Sequence, residues 1–519
     1  MEKTKIIWIG ANINSDVKLL PHLNLCWDKT FTILGIHFCT NLNNMVNINY
    51  EQKIEEIKKM LMSWSKRILT PLGKITVIKT LALSKINHLI LSIPSPDVRM
   101  IDKLQSIFFN FLWEGKPDKI KRDIIFKDYS EGGLRMINLE KFITSLKITW
   151  VRKMILSNKK YLQIENYIND LNLTFKLGPE YINKHIKNVT NPFWKDVYLS
   201  FYTFCTSLVP VNPRELKSQH LFHNNSIKAG GKSIYRPKLV EKGIYTINDI
   251  LKQDGSVLTF DNIVEIHGHI INFLDYASLI SAVNQCINET NIHTETIGKG
   301  LMEPPLPLPI SILLRNKNGC RQMYDKLIKN NVKPSSLKKW LEDFNNDDYL
   351  TNILQHFKIP FTCCSDTHLQ WFQTRINHRI LGTNFLLKKM NIKDSDLCSF
   401  CRNEQETTLH LFYKCPIVNV FVKNLEILIN THCPTTPLNL RAKDIIFGNR
   451  FYSKILNTIL ILAKYYIFKT RETNHLPNIN IFKSNIRNRY KMDQQIAKSN
   501  MNGSMNDELW KPLISLIIH

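Results

Sequence analysis

Acidic residues are scarce in this chain of 519 residues: 44 Asp and Glu stand against 69 Lys and Arg, a formal net charge of +25. That deficit biases the chain toward polyanions, nucleic acid first and acidic membrane surfaces second. The wealth of Lys, Asn and Ile offers a competing source of charge, because AT-biased coding would produce the same lysines. Cysteine is also sparse, 11 in all and odd in number, thinly spread except for one cluster. Such usage excludes a disulfide scaffold and fits a reducing compartment. Long hydrophobic runs are missing. Met1-Glu2-Lys3-Thr4-Lys5 is not followed by the apolar stretch and cleavage site of a signal peptide. The best membrane segment, Ile455 to Ala463, contains Asn457 and Thr458 and stops at Lys464, so it reads as a short buried helix. These absences predict an intracellular protein, in nucleus or cytoplasm and not secreted, with no membrane partner. The remaining composition, 44% hydrophobic and 22% charged, is globular and rules out wholesale disorder. Its length suggests about three or four domains.

Hydrophobic periodicity organises the N-terminal third. Lys5 to Ile9 and Phe31 to Phe38 are β-branched and aromatic runs bounded by Gly and Asn, and read as short strands. From Glu51 the spacing of Ile54, Ile57, Leu61, Trp64 and Ile68 places one apolar stripe on a helix. Thr70-Pro71 opens a second helix through Val77, Ile78 and Leu81. Asp97 caps a third, with Ile101, Leu104, Phe108 and Phe111 on its inner face. The turn Glu131-Gly132-Gly133 and a capping Asn138 introduce a fourth, with Leu139, Ile143, Leu146 and Trp150 on one face and Lys141, Arg152 and Lys159 opposite. These helices predict a bundle with basic faces outward. Residues 161–350 say less. Ala229-Gly230-Gly231-Lys232 lacks the spacing of a phosphate-binding loop and reads as a plain turn. The proline-rich run Met302 to Pro309 is expected to be extended and marks the best domain boundary.

One constellation carries metal chemistry. Cys398 and Cys401, then His410 and Cys415, have the spacing Cys-x2-Cys-x8-His-x4-Cys. Two cysteines two residues apart can reach one ion from a tight turn, and a His and Cys five positions apart can close the tetrahedron. Three thiolates and an imidazole are ligands preferred by Zn2+, and a site filled wholly by protein is structural. Cys433 is a substitute ligand, and the adjacent pair Cys363-Cys364 reads as packing.

Several of these segments resemble one family. Trp64-Ser-Lys-Arg67, Leu69-Thr70, Gly73-Lys74 and Val77-Ile-Lys79 are similar to the thumb of LINE-type (non-LTR) retrotransposon reverse transcriptases. So are Phe111-Leu-Trp113-Glu-Gly115, Gly132-Gly-Leu134 with Asn138, and Leu146-Lys147 with Trp150. Phe31 to Phe38 looks like the primer grip, and Lys3-Thr-Lys5 like the palm tail before it. Trp371-Phe372, the Cys/His finger and Trp510 resemble the C-terminal zinc-binding region. The resemblance implies a mainly α (α+β) fold. Palm-end strands would occupy 1–45, a thumb-like helical bundle 46–160 and a helical connector 161–350. The zinc-binding region would occupy 360–440, and a helical basic tail 441–519.

The family's catalytic signature, an aromatic-x-Asp-Asp strand ahead of the primer grip, is not found. The only Asp-Asp, Asp347-Asp348, lies far downstream in a polar segment. Mg2+ would belong only to that missing palm. The expectation is therefore part of an RNA-directed DNA polymerase that is inactive alone, retaining a structural Zn2+ and sequence-tolerant binding of RNA or DNA. The implied phosphate contacts are Lys66, Arg67, Lys74, Lys79, Lys147, Arg152 and Lys153 in the thumb. Arg375, His378, Arg379, Lys388 and Lys389 flank the finger, and Lys483, Arg487, Arg489 and Lys491 form a tail patch. Phe400 and Phe412 are the finger's base-stacking residues in this reading. The rival reading is a zinc-stabilised protein-interaction scaffold without a nucleic-acid role.

Overall fold

The computed structural model describes residues 5–6, 8, 26–28, 30–39, 42–156, 175–290, 292, 306–315, 319–344, 353–432, 438–473, 475–499 and 508–514. Lys3, Thr4, Lys159, Asp347, Asp348 and Cys433, each invoked above, lie outside them. The chain is mainly helical with little strand. β1 (Lys5–Ile6) pairs in parallel with β2 (Cys26–Trp27). β3 (Thr30–Ile33) and β4 (Ile36–Cys39) form an antiparallel hairpin. Its two-residue turn holds Leu34 and Gly35 at φ +50° and +76°, the left-handed pair that matches strand twist.

Helix α1 spans Leu42–Ser65. It buries Ile54, Ile57 and Leu61 as the periodicity requires, but it ends before Ile68, which is 95% exposed. α2 (Pro71–Val77) starts as expected, with Thr70 Oγ1 accepting from the Gly73 N–H at 3.3 Å. A π-turn, Ile78–Ala82, then adds a residue to the winding. The apolar face shifts with it: Ala82 and Leu83 are buried, while Leu81, read as core from its spacing, faces out. α3 (Ser84–Ser92) follows, then α4 (Val98–Trp113), whose Asp97 Oδ1 caps the Met100 N–H at 2.8 Å. α5 (Leu139–Leu156) is capped by Asn138 Oδ1 on the Lys141 N–H at 3.0 Å. Gly133 is required where the chain passes back over the Ile124 and Lys127 carbonyls. A Cβ there would lie 2.0 Å from the Lys127 carbonyl oxygen.

The chain divides into two compact units. Unit one comprises Met1–Leu61, Leu81–Ile107 and Asn138–Lys329. Its centre is α5 packed on α6 (Pro192–Ser207), around Ile148, Val151, Tyr198 and Phe201. A second cluster collects Leu216, Leu221, Phe222, Ile247 and Val283. Ala229-Gly230-Gly231-Lys232 is a plain hairpin turn between β5 (Lys228–Ala229) and β6 (Lys232–Ser233). The proline-rich run is not extended throughout. Leu308–Arg315 is helical, because Pro309 sits in the first turn, where a proline lacks no needed N–H.

Unit two comprises Met62–Thr80, Phe108–Ile137 and Asn330–His519. Its core is built on α7 (Thr367–Asn377), α8 (Pro416–His432), α9 (Lys454–Thr470) and α10 (Ile479–Ser499). α9 is the short apolar helix expected, with Ile455, Ile459, Leu460, Ala463 and Ile467 buried. Trp510 also closes onto this core, its ring 5.4 Å from that of Tyr490. No single helix among the described residues is long and apolar enough to cross a membrane.

Candidate metal centre

Local backbone chemistry brings the four ligands together. The Cys398 N–H donates to the Glu404 carbonyl at 2.8 Å, and the Arg402 N–H returns to the Cys398 carbonyl at 2.9 Å. This tight turn aims Cys398 and Cys401 to one side. His410–Lys414 is a π-turn, closed by the Cys415 N–H on the His410 carbonyl at 2.8 Å. The wider winding sets residues five apart on one face, which is the spacing between His410 and Cys415. Cys415 precedes α8, whose first N–H groups have no helical partner. Those of Ile417 and Val418 point at its sulfur.

The ligand atoms of Cys398, Cys401, His410 and Cys415 all lie within 4.8 Å of one another. Cys398 Sγ and Cys415 Sγ are 3.8 Å apart, and Cys401 Sγ is 3.3 Å from His410 Nε2. Four ligands at about 2.3 Å from a tetrahedral ion would have edges of about 3.8 Å. The cluster can therefore hold a metal ion, and it is the one such group among the described residues. The Cys415 thiol is pulled below the usual thiol range, first by the hydrogen bond from Cys398, with the α8 N–H groups and His410 helping against burial. A thiolate at this position is the form a metal needs.

Neighbours missed by the sequence reasoning orient these ligands. Glu404 Oε2 lies 2.9 Å from His410 Nδ1, so the carboxylate takes that N–H and turns the Nε2 lone pair toward the sulfurs. Glu406, wholly buried, accepts from the Ser399 N–H at 2.9 Å, Ser399 Oγ at 2.8 Å and the Asn384 N–H at 2.9 Å. Arg471 completes it at 2.6 Å and also donates to the Gly382 carbonyl, tying the cysteine turn to the end of α9. Glu404 and Glu406 sit inside the x8 spacer, where a lone charge ordinarily signals solvent. Arg471 is far away in the chain and gave no local signal.

The basic residues proposed for phosphate fall into two groups. Lys66 and Arg67 are exposed, with Arg67 stacked 4.3 Å over Trp64. Lys153 is exposed above Trp150 at 4.1 Å, and Lys389 is exposed at the end of the helix Asn384–Lys389. Lys388 is exposed too but pairs with Asp396 at 3.1 Å. Lys79 and Arg152 are partly buried, and Arg152 donates to the Gly319 carbonyl at 3.0 Å. Arg375 and Arg487 are partly buried as well.

Five other basic assignments need correction, because burial or pairing occupies the side chain. Lys147 is fully buried, bound to Asp196 at 3.0 Å and to the Ile93 carbonyl at 2.6 Å. Lys74 is buried and paired with Glu114 at 2.6 Å. Arg489 is held by Asp366 at 2.8 Å and Asp493 at 2.9 Å. Arg379 is tied to Asp343 and the Lys339 carbonyl. His378 points inward, its Nε2–H donating to the Gly132 carbonyl at 2.9 Å, and burial lowers its pKa to about 4. Phe412 is core against Phe372, so only Phe400 of the two finger aromatics reaches the surface. No protein-family model matches this chain.

Proposed function

We propose that this chain is the nucleic-acid-gripping part of a LINE-type reverse transcriptase, a thumb and connector followed by a zinc-stabilised module. The reading rests above all on the Cys398/Cys401/His410/Cys415 tetrahedron with Glu404 behind its imidazole, in a chain carrying +25 net charge. Three sulfurs and one imidazole match Zn2+, and four protein ligands leave no open position, so the ion would be structural. Bound there, it would contribute folding free energy to the module. The chain's own part is to hold RNA or DNA by its backbone, through the exposed Lys66, Arg67, Lys153 and Lys389. Such contacts release counterions and carry no sequence information.

Binding of labelled duplex and single strands to the full chain tests this. If about four phosphates are neutralised, affinity for duplex should fall about 100-fold between 50 and 200 mM salt. Absence of binding at the lower salt, or binding indifferent to salt, would overturn the reading. Elemental analysis should return one zinc per chain.

A further inference from the structure

Unit two gathers several cations around a single carboxylate. Lys74, on α2, donates to Glu114, which turns the chain out of α4 at φ +57°. Lys116 and Lys119 follow on the same exposed segment. α7 packs against α2 and brings Arg375 into the group. The Lys119 ammonium is held below the usual lysine range, first by partial burial, then by the Arg375 and Lys116 charges. Glu114 thus faces three cations, Lys74, Lys116 and Lys119, while Asp118 of the same segment is taken by Arg122 at 2.8 Å.

Arg375 is the residue that a plain solvated face does not explain. Its guanidinium lies 5.8 Å over the Phe372 ring and 6.0 Å over that of Phe468, but its Nε is buried with no acceptor and no carboxylate among the described residues pairs with it. Arg471 and Arg489 of the same unit have anions, Glu406 for the first and Asp366 with Asp493 for the second, whereas Arg487 shares the unpartnered Nε. A guanidinium drawn partly out of water without an anion carries a desolvation penalty that a phosphate oxygen would relieve. One helical turn earlier on the same face of α7 stands Trp371, partly exposed, its ring 6.0 Å from that of Trp113.

We propose that Arg375, Lys116 and Lys119 hold a backbone phosphate of a single-stranded nucleic acid, whose neighbouring unpaired base stacks on Trp371. The site rests on the nucleic-acid reading above and narrows it to unpaired strands. Neutral planar rings tolerate any base, so the site reads backbone and stacking face and not sequence.

The test uses the full chain, short fluorescein-labelled oligo(U) and oligo(dT), and a labelled duplex of the same length, followed by anisotropy. Lys116→Ala with Lys119→Ala should weaken single-strand binding and flatten its log–log salt slope by about 1.4, two contacts at about 0.7 each. Removing two repelling cations from an exposed segment should leave the melting temperature at or above that of the parent. Trp371→Leu should weaken single strands about 5- to 100-fold while duplex affinity stays unchanged. If the parent binds single strands and the variants bind them equally with the same slope, the site is wrong and the broader reading stands. If Trp371→Leu weakens duplex and single strands alike, the stacking assignment is wrong. If the parent binds no strand at about 50 mM salt, both fall.

Discussion

Arg471→Met should damage the metal module from outside its ligand set. Arg471 is 5% exposed and its partner Glu406 is not exposed at all, so water cannot replace the lost charge. The substitution deletes the 2.6 Å contact to Glu406 and both donations to the Gly382 carbonyl at 3.1 Å. It leaves a buried carboxylate holding the Ser399 and Asn384 N–H groups without a counter-charge. Removing one partner of such a pair costs about 3–5 kcal/mol. For a unit of this size, at about 2–4 °C per kcal/mol, the melting temperature should fall by about 6–20 °C. Calorimetry of the zinc-loaded chain reads this directly. The second variant, Arg471→Met with Glu406→Gln, removes the orphaned charge and should recover at least half of the loss. A single variant melting within about 2 °C of the parent, or a double variant melting below the single, would refute the claim that charge burial governs this joint.

Glu404→Gln keeps an acceptor on His410 but removes its charge, and zinc affinity by chelator competition should drop about 10- to 100-fold with the fold retained. Lys464 sits wholly inside α9 with the Ile446 carbonyl at 2.9 Å, and burial lowers it to about 7. The unfolded chain keeps that proton up to roughly pH 10.4, so between the two values unfolding takes up a proton and stability rises with pH. Lys464→Met should therefore be more stable than the parent near neutral pH, and denaturant midpoints should show that advantage shrinking as pH rises; an advantage independent of pH would refute the buried-charge account. Gly133→Ala drives a methyl into the Lys127 carbonyl and should lower the melting temperature by several degrees, whereas the same change at Gly230, where a Cβ meets nothing, should strain only the turn.

Much of the local structure could be read from the residues. The caps at Thr70, Asp97 and Asn138 work through hydrogen bonds to N–H groups three positions on, so the information is contiguous. The same holds for Cys398, Cys401, His410 and Cys415, whose separations are set by one turn and one π-turn. The periodicity failed where winding or length changed unannounced. Leu81 rotated outward because a π-turn adds one residue, and Ile68 fell beyond the end of α1.

What the order of residues determined on its own, then, was the set of short-range devices: strand runs, helix starts, the ligand spacing and the excess of positive charge. The tertiary structure alone decided which charges remain available. Lys147 and Lys153 sit on one helix with the same ordinary local signals, yet one is buried against Asp196 and the other lies in solvent over Trp150. The deciding partner, 49 positions away, is brought in by packing of α5 on α6, and burial multiplies the strength of a charge pair far beyond its value in water. The same logic placed Arg471 beneath the cysteine turn and left Arg375 without an anion, facts that no spacing encodes.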